Sequence, residues 1–292
     1  MGFSDLANRM FGLYRDGEYE GALELVQDAY DKYPDEDNNL TFWEACLLAR
    51  VGQAQTALEV LSKGVERGQW WPPGQLADQD LDPVRKLRGW EQVAEHCAEI
   101  TANKLAARPD PIIRQGTGAG SLIAIQGARA TQEEVSSTWK AATPSRWTVI
   151  TPAGAEPTAD GCWAWPRSIE EAASSVLGDI RDLPLDAPIV LTGFSIGSAI
   201  ACHIINTELM PVDGLIAVAP SSWRSFDELR QAARRTRTLI IGGDQDPRYS
   251  KYQQLEADLA HDNQTRVDLI DGLSHANPSD LARRVSEFLL QL

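Results

Sequence analysis

The sequence predicts an α/β fold: a mostly parallel sheet with helices on both faces, preceded by an all-α domain. Three observations carry this. Short, mostly apolar runs recur at 121–125, 147–150, 189–191, 215–218, 238–241 and 267–270. Helical stretches alternate with them near 131–142, 168–183, 196–207, 225–235, 249–261 and 279–291. Before residue 106 the apolar residues recur only at helical spacing. Strand–helix alternation requires crossover connections, hence a parallel sheet. Near-continuous apolar strands fit a sheet buried on both sides.

In the first part, Leu6, Met10, Leu13 and Tyr14 form a stripe that Gly17 ends. Ala22, Leu23, Val26, Ala29 and Tyr30 form the next, closed by Pro34. Phe42, Ala45, Leu48 and Ala49 run to Gly52, and Ala57, Leu58, Leu61 and Val65 run to Gly68. Leu87, Trp90, Val93, Cys97 and Ile100 supply a closing helix. Each helix is amphipathic on one side, so each must bury its stripe against a neighbour. An internal repeat is visible: Gly52, Ala57 and Leu61 repeat Gly17, Ala22 and Val26. This spacing, with Tyr19, Ala29 and Pro34, resembles the tetratricopeptide repeat, whose period is about 34 residues. The second copy departs from the first, with Gly64 in place of Ala29 and Gln69 in place of Pro34. The stretch AARPDP at 106–111 has two prolines and no stripe, a boundary signal. The expected domains are therefore 1–108, helical, and 109–292, α/β.

A chain of 292 residues with 43% hydrophobic content can build a substantial core. Its formal net charge of −15, negative in both parts, argues against nucleic acid or an anionic membrane as partner. No apolar run approaches the ~18 residues that span a bilayer. The first residues lack a basic stretch followed by an apolar one, so no secretory signal is expected and the expected location is cytoplasmic. Cys46, Cys97, Cys162 and Cys202 are far apart, without metal-ligand or redox spacing, and read as reduced thiols.

The most informative stretch is PIVLTGFSIGSAIA at 188–201. An apolar strand runs into Gly193-Phe194-Ser195-Ile196-Gly197 and then into a helix rich in small residues. This is the G-x-S-x-G nucleophile elbow in its required strand–turn–helix context. The serine oxygen must project from the sheet edge, and positions two before and two after lie too close to backbone for a Cβ. The following helix aims its N-terminus at the site, where N–H groups favour developing negative charge. A serine nucleophile needs a base. His96 lies in the helical part, His203 on the helix after the elbow, and His261 at a polar helix end. His275 follows the last strand through Asp271-Gly272-Leu273-Ser274, at the carboxyl edge where such sheets place ligands. The orienting acid is expected after the 238–241 strand, where Asp244 and Asp246 compete in Gly242-Gly243-Asp244-Gln245-Asp246-Pro247. Both give the chain order Ser, Asp, His that this fold shows.

Residues from about 121 onward resemble an α/β-hydrolase, within it the serine carboxylesterase, phospholipase and dienelactone-hydrolase-like group. The resemblance rests on Gly193-Phe194-Ser195-Ile196-Gly197, Gly243-Asp244-Gln245-Asp246 and Ser274-His275. It places the acid three residues after the loop glycine, which selects Asp246. It also implies a His-Gly-x stretch after an early strand, whose backbone N–H binds the oxyanion. Here that stretch is Ile125-Gln126-Gly127-Ala128, with glutamine for histidine, so Ala128 and Ile196 N–H groups are expected to form the oxyanion hole. The resemblance further implies a tryptophan-containing loop, matched by Gly161-Cys162-Trp163-Ala164-Trp165. Trp163 and Trp165 either line an acyl or alcohol pocket or cap the core, and Trp223, after Ala219-Pro220-Ser221, has the same two readings.

The expected activity is ester hydrolysis through Ser195, His275 and Asp246 and an acyl-enzyme, without metal or organic cofactor. Thioesterase or peptidase action on the same triad is the alternative within enzymes. The alternative outside them is a helical-repeat adaptor with a scaffold-like hydrolase domain. The expected partners are a small-molecule ester and, through the helical domain, a protein or a second copy of the chain.

Overall fold

The structure is a computed structural model that describes residues 2–128, 130–159, 161–166, 168–221 and 226–292. It divides into two compact units, residues up to 107 with 157–159, and the remainder.

The first unit is helical: α1 (Phe3–Asp16), α2 (Tyr19–Gln27), α3 (Asp37–Arg50), α4 (Ala54–Glu66), a single turn α5 (Pro73–Leu76) and α6 (Trp90–Ala106). Its core gathers Leu6, Met10, Val26, Leu40, Leu61 and Trp71. The repeat is physical at the helix ends. Gly17 and Gly52 both have φ of 81°. In each case the next residue's N–H reaches back five positions, Glu18 to Leu13 O and Gln53 to Leu48 O. This cap needs a left-handed residue, which glycine supplies without strain. Residues 67–89 are mostly irregular yet bury Trp70, Trp71, Leu76, Leu81 and Val84.

From residue 108 onward the chain forms β1 (Ile112–Arg114), β2 (Ser121–Ile125), α7 (Gln132–Ala142), β3 (Thr148–Thr151), β4 (Glu156–Pro157), β5 (Trp163–Ala164), α8 (Ile169–Ile180), β6 (Ile189–Phe194), α9 (Ile196–Asn206), β7 (Gly214–Val218), α10 (Asp227–Ala233), β8 (Arg237–Gly243), α11 (Tyr249–Leu259), β9 (Thr265–Ile270) and α12 (Leu281–Leu289), all within the second unit except Pro157 of β4. The main sheet runs β1-β3-β2-β6-β7-β8-β9. Only β1 is antiparallel to its neighbour. Alternate residues face opposite layers. Ile123, Ile125, Leu191, Leu215 and Ile240 belong to a core with α8–α11. Leu122, Val190, Ile216, Leu239 and Ile241 belong to one with α7 and α12. α12 contributes Leu281, Val285, Phe288 and Leu289, each buried. Burial of each side chain is worth about 1.5–3 kcal/mol.

Two details differ from the sequence expectation. Gly242 and Gly243 continue β8, pairing with Leu269 and Ile270 of β9, rather than opening the loop. β1 joins the sheet edge beside β3 although its residues form no apolar run of their own. Among the described residues no helix is long and apolar enough to cross a membrane. None forms a cluster of three or more His, Cys, Asp or Glu that could hold a metal ion.

Candidate active site

The sheet order changes direction between β2 and β6: β3 lies beyond β2 on one side, β7 beyond β6 on the other. Ligands of open α/β sheets bind outside the carboxyl ends of strands at such a point. The turn after β2 carries Gly127 and Ala128, and the turn after β6 carries Ser195.

Ser195 adopts φ 53° and ψ −118°, a strained conformation for a residue with a Cβ. The strain is held by packing. A Cβ on Gly193 would lie 2.2 Å from the Gly197 carbonyl carbon, and one on Gly197 would lie 2.3 Å from Ile125 O. The tight crossing of β6, α9 and the end of β2 therefore requires both glycines. Ser195 N–H donates to Val218 O at 3.0 Å, tying the elbow to β7. Ile196 is the first residue of α9, so its N–H has no acceptor within the helix.

His275 lies after β9 and Asp246 after β8, and the structure brings them together: His275 Nδ1 is 2.6 Å from Asp246 Oδ2. The Asp246 side chain is fully buried. Its other oxygen accepts the Arg248 backbone N–H at 2.8 Å. Burial pushes this carboxyl up, but hydrogen bonds from His275 and Arg248 outweigh it and hold the group below its ordinary 3.8. The charged acid beside the imidazole also pushes the buried Tyr252 phenol up, after burial itself. Asp244 has a different task. Its Oδ1 accepts the Gly272 N–H at 2.7 Å, holding the turn that leads to His275. Of the four histidines, only His275 has a ring nitrogen bonded to a carboxylate among the described residues.

Ser195 Oγ bonds not to His275 but to Ser221 Oγ, at 3.4 Å. The imidazole is nevertheless beside the elbow, its ring 5.0 Å from that of Phe194. Catalytic hydrogen bonds are often long before substrate arrives. Ser221 is a site residue that sequence reasoning missed. Ala219, at φ 42°, turns the chain after β7, and the Ser221 N–H donates to Ser195 O at 3.2 Å. Its only signal in the sequence is its place at the end of the strand next to the nucleophile's.

Gln126, standing where the resemblance expects histidine, is buried. Its side-chain amide donates to Trp163 O, and its backbone oxygen accepts the Trp165 Nε1–H at 2.9 Å. Glutamine thus ties the tryptophan loop to the end of β2. Trp165, 7% exposed, belongs to the buried core that includes Ile125 and Ile169. Trp163 is half-buried, and Trp223 lies outside the described residues. A cavity of about 190 Å³ opens beside Gly127 and Phe194, lined also by Glu134, Thr138, Trp139 and Asn277. Trp139, on α7, is the tryptophan that reaches this cavity, and no motif marks it.

Residues 2–104 match the family model described as A/B hydrolase-like, N-terminal domain. Among solved structures the chain is similar to an uncharacterized protein from Bacillus cereus ATCC 10987, at 22% identity over 98% of this chain and 97% of that one, with a TM-score of 0.50. It is also similar to esterase PE8, at 15% identity over 63% of this chain and 99% of that one, TM-score 0.50. Zea mays acyl-protein thioesterase 2 is similar at 15% identity over 62% of this chain and 97% of that one, TM-score 0.50. No curated protein matches the chain. At these identities the likeness to solved structures is one of fold.

Proposed function

We propose that this chain, whose fold is that of the α/β-hydrolase superfamily, is a serine hydrolase that cleaves carboxylic esters. The observation that carries the reading is the pairing of buried Asp246 with half-buried His275, at 2.6 Å, standing at the same sheet edge as the strained Ser195.

In the proposed cycle, Asp246 accepts the Nδ1–H of His275 and leaves Nε2 free to take a proton. Ser195 Oγ attacks the ester carbonyl as its proton passes to Nε2. The oxyanion that forms is held by the N–H groups of Ile196 and Ala128, one such donor being worth about 3–4 kcal/mol. The carbon–oxygen bond to the alcohol breaks, and the alcohol leaves with the proton from Nε2. Water then attacks the acyl-enzyme with His275 as base, releasing the carboxylic acid and restoring Ser195. The Ser195–Ser221 contact must yield first: the Ser195 hydroxyl turns toward the imidazole when substrate binds. The helical unit is assigned a tetratricopeptide-like packing of its two hairpins and a surface for a protein partner or a second copy.

The test is covalent labelling by a fluorophosphonate together with turnover of a small aryl ester and its thioester. Labelling at Ser195, with turnover abolished in a folded Ser195→Ala protein, is the expected result. Full turnover in that variant overturns the mechanism, and absence of labelling favours an adaptor role. The thioester arm is included because the same acyl-enzyme would serve a thioesterase.

A further inference from the structure

Ala128, at the tip of the turn after β2, is exposed, so the direction of its N–H depends on how the residues leading into it are held. Gly127 rests on the residue before the nucleophile: a Cβ there would lie 2.8 Å from the Phe194 ring. Gln126 is clasped by the tryptophan loop. Its side-chain amide donates to Trp163 O, and its backbone oxygen accepts the Trp165 Nε1–H at 2.9 Å. The tryptophan loop is itself anchored to the segment after β3. Ala155 N–H donates to Ala164 O at 2.9 Å, and a Cβ on Gly154 would lie 2.5 Å from Trp163 O. That segment is gripped in turn by Arg108. The guanidinium donates through Nε to Gly154 O at 2.9 Å and through Nη2 to Ala153 O at 2.8 Å. It also forks onto Asp179 of α8, Nη1 to Oδ1 at 2.7 Å and Nη2 to Oδ2 at 2.9 Å. Asp179 Oδ2 closes the arrangement by accepting the Ala153 N–H at 2.9 Å. A planar fork on a carboxylate fixes direction as well as distance.

Stability alone does not favour glutamine at position 126. Its side-chain oxygen is buried with no hydrogen-bond partner among the described residues. An acceptor left so costs stability that an apolar side chain of the same length would not. A local rule broken in this way is expected where function requires it. We propose that Arg108, Asp179 and the tryptophan loop act through Gln126 as one positioning device that aims the Ala128 N–H at the developing oxyanion. Arg108 and Gln126 are positioning residues; the group that meets the substrate is the Ala128 N–H. The proposal rests on the serine-hydrolase reading above and extends it from the reacting groups to the residues that hold one of them.

The experiment uses the full chain, 4-nitrophenyl acetate as substrate and an aryl trifluoromethyl ketone as probe of the oxyanion hole. Ser195 Oγ adds to the ketone carbon, its proton passes to His275 Nε2, and the carbonyl oxygen becomes an oxyanion that needs the same N–H groups. Gln126→Met keeps the length of the side chain and removes its amide. It should lower kcat about 10- to 100-fold, less than the 10²–10³ lost with a whole oxyanion donor, because the N–H is misaimed rather than deleted. KM should stay within about threefold, since the interaction is made in the transition state. The inhibition constant of the ketone should rise in step with the fall in kcat/KM, while the melting temperature stays within about 3 °C. Arg108→Lys keeps the charge and loses the fork, and should cost about three- to tenfold in kcat. The double variant should be no slower than Gln126→Met within about twofold, because the grip of Arg108 reaches the turn only through the clasp. If Gln126→Met is not recovered folded, Trp165→Phe removes the indole N–H and should show the same split between kcat and KM. A kcat within twofold of wild type in the folded clasp variant overturns the proposal, as does a fall in kcat with unchanged ketone affinity. Losses that multiply in the double variant overturn the link from Arg108 to Gln126. Absence of Ser195-dependent turnover and labelling in the wild type overturns the hydrolase reading and this proposal together.

Discussion

Replacing Asp246 by Asn tests the site more sharply than deleting the nucleophile, because the structure fixes how the amide must sit. Asp246 Oδ1 accepts the Arg248 N–H at 2.8 Å, and Oδ2 faces His275 Nδ1 at 2.6 Å. An asparagine has one acceptor for these two places. If its oxygen stays with Arg248, its NH2 faces Nδ1, which must then be unprotonated. The ring proton moves to Nε2, where it blocks uptake of the Ser195 proton. If the amide turns over, two buried donors meet at the Arg248 N–H, at a cost of about 1–3 kcal/mol. The working tautomer is thus depleted by roughly 5- to 150-fold. Losing the negative charge that stabilises the imidazolium adds the rest, for a total near the ~10⁴ in kcat that this change costs a serine hydrolase triad. In free energy that is about 5.5 kcal/mol of barrier. Asp244→Asn keeps a carbonyl oxygen for the Gly272 N–H and should cost less than about tenfold. Steady-state kcat of the two variants on an aryl acetate measures the contrast. A larger loss in Asp244→Asn, or a loss under tenfold in Asp246→Asn, refutes the assignment.

Gly197→Ala places a Cβ 2.3 Å from Ile125 O and 2.7 Å from Gln126 O; it should lower stability by about 1–3 kcal/mol or more, seen in urea unfolding, and cut activity with it. Gly178→Ala, with open space at an exposed position within α8, should instead stabilise by about 0.5–1 kcal/mol, and a loss there contradicts the helix assignment. Tyr14 donates to both Asp80 oxygens at 2.9 Å. Burial, the Asp80 hydrogen bond and its charge raise the phenol from 10.0 to about 12. Because the folded state holds the proton more tightly, this stability is whole below pH 10 and is lost as pH rises toward 12. Melting curves of wild type and Tyr14→Phe should therefore converge over that range, and parallel curves would exclude it. The Asp246 shift has the opposite sign: its folded value lies below 3.8, so its contribution is present above that pH and lost on acidification through the folded value. The Asp246→Asn protein should lack that acid-side loss in equilibrium unfolding.

β2, β3, β6, β7 and β8 are legible because burial on both faces demands continuous apolar runs, which stand out from any amphipathic pattern; β9 is half-buried yet keeps such a run at its end, and the two-residue strands β4 and β5 show none. The elbow is legible because its glycines answer a steric demand that leaves no other choice. β1 escapes notice because Ile112–Arg114 is a half-buried edge strand whose pattern is too short to show a period. Residues 69–86 escape because Pro72, Pro73 and Pro83 break any period. The burial of Trp71 and Leu81 there comes from tertiary packing alone. The helices expected near 168–183 and 279–291 are shorter in the structure: α8 stops at Ile180 and α12 runs only from Leu281 to Leu289. Apolar residues such as Leu183 still pack beyond the last helical turn. Ser221 and Trp139 owe their place to chain paths that no local pattern encodes.

The distance the site must bridge explains why two loop acids are present. Ser195 follows β6 and His275 follows β9, three strands along the sheet, or about 14 Å at ~4.8 Å per strand. A histidine on a loop of its own could not hold an imidazole in register across that span against the loss of loop entropy. The chain after β9 is instead fastened to the end of β8 at successive points: Asp244 N–H to Ile270 O, Gly272 N–H to Asp244 Oδ1, and Gln245 N–H to Leu273 O. Asp246 then takes the imidazole itself. Asp244 carries the loop part of the way toward the elbow, and Asp246 aims the ring at its end. The two carboxylates, alike in sequence, thus divide one task into a backbone staple and an orienting charge, and only the second needs its negative charge to work.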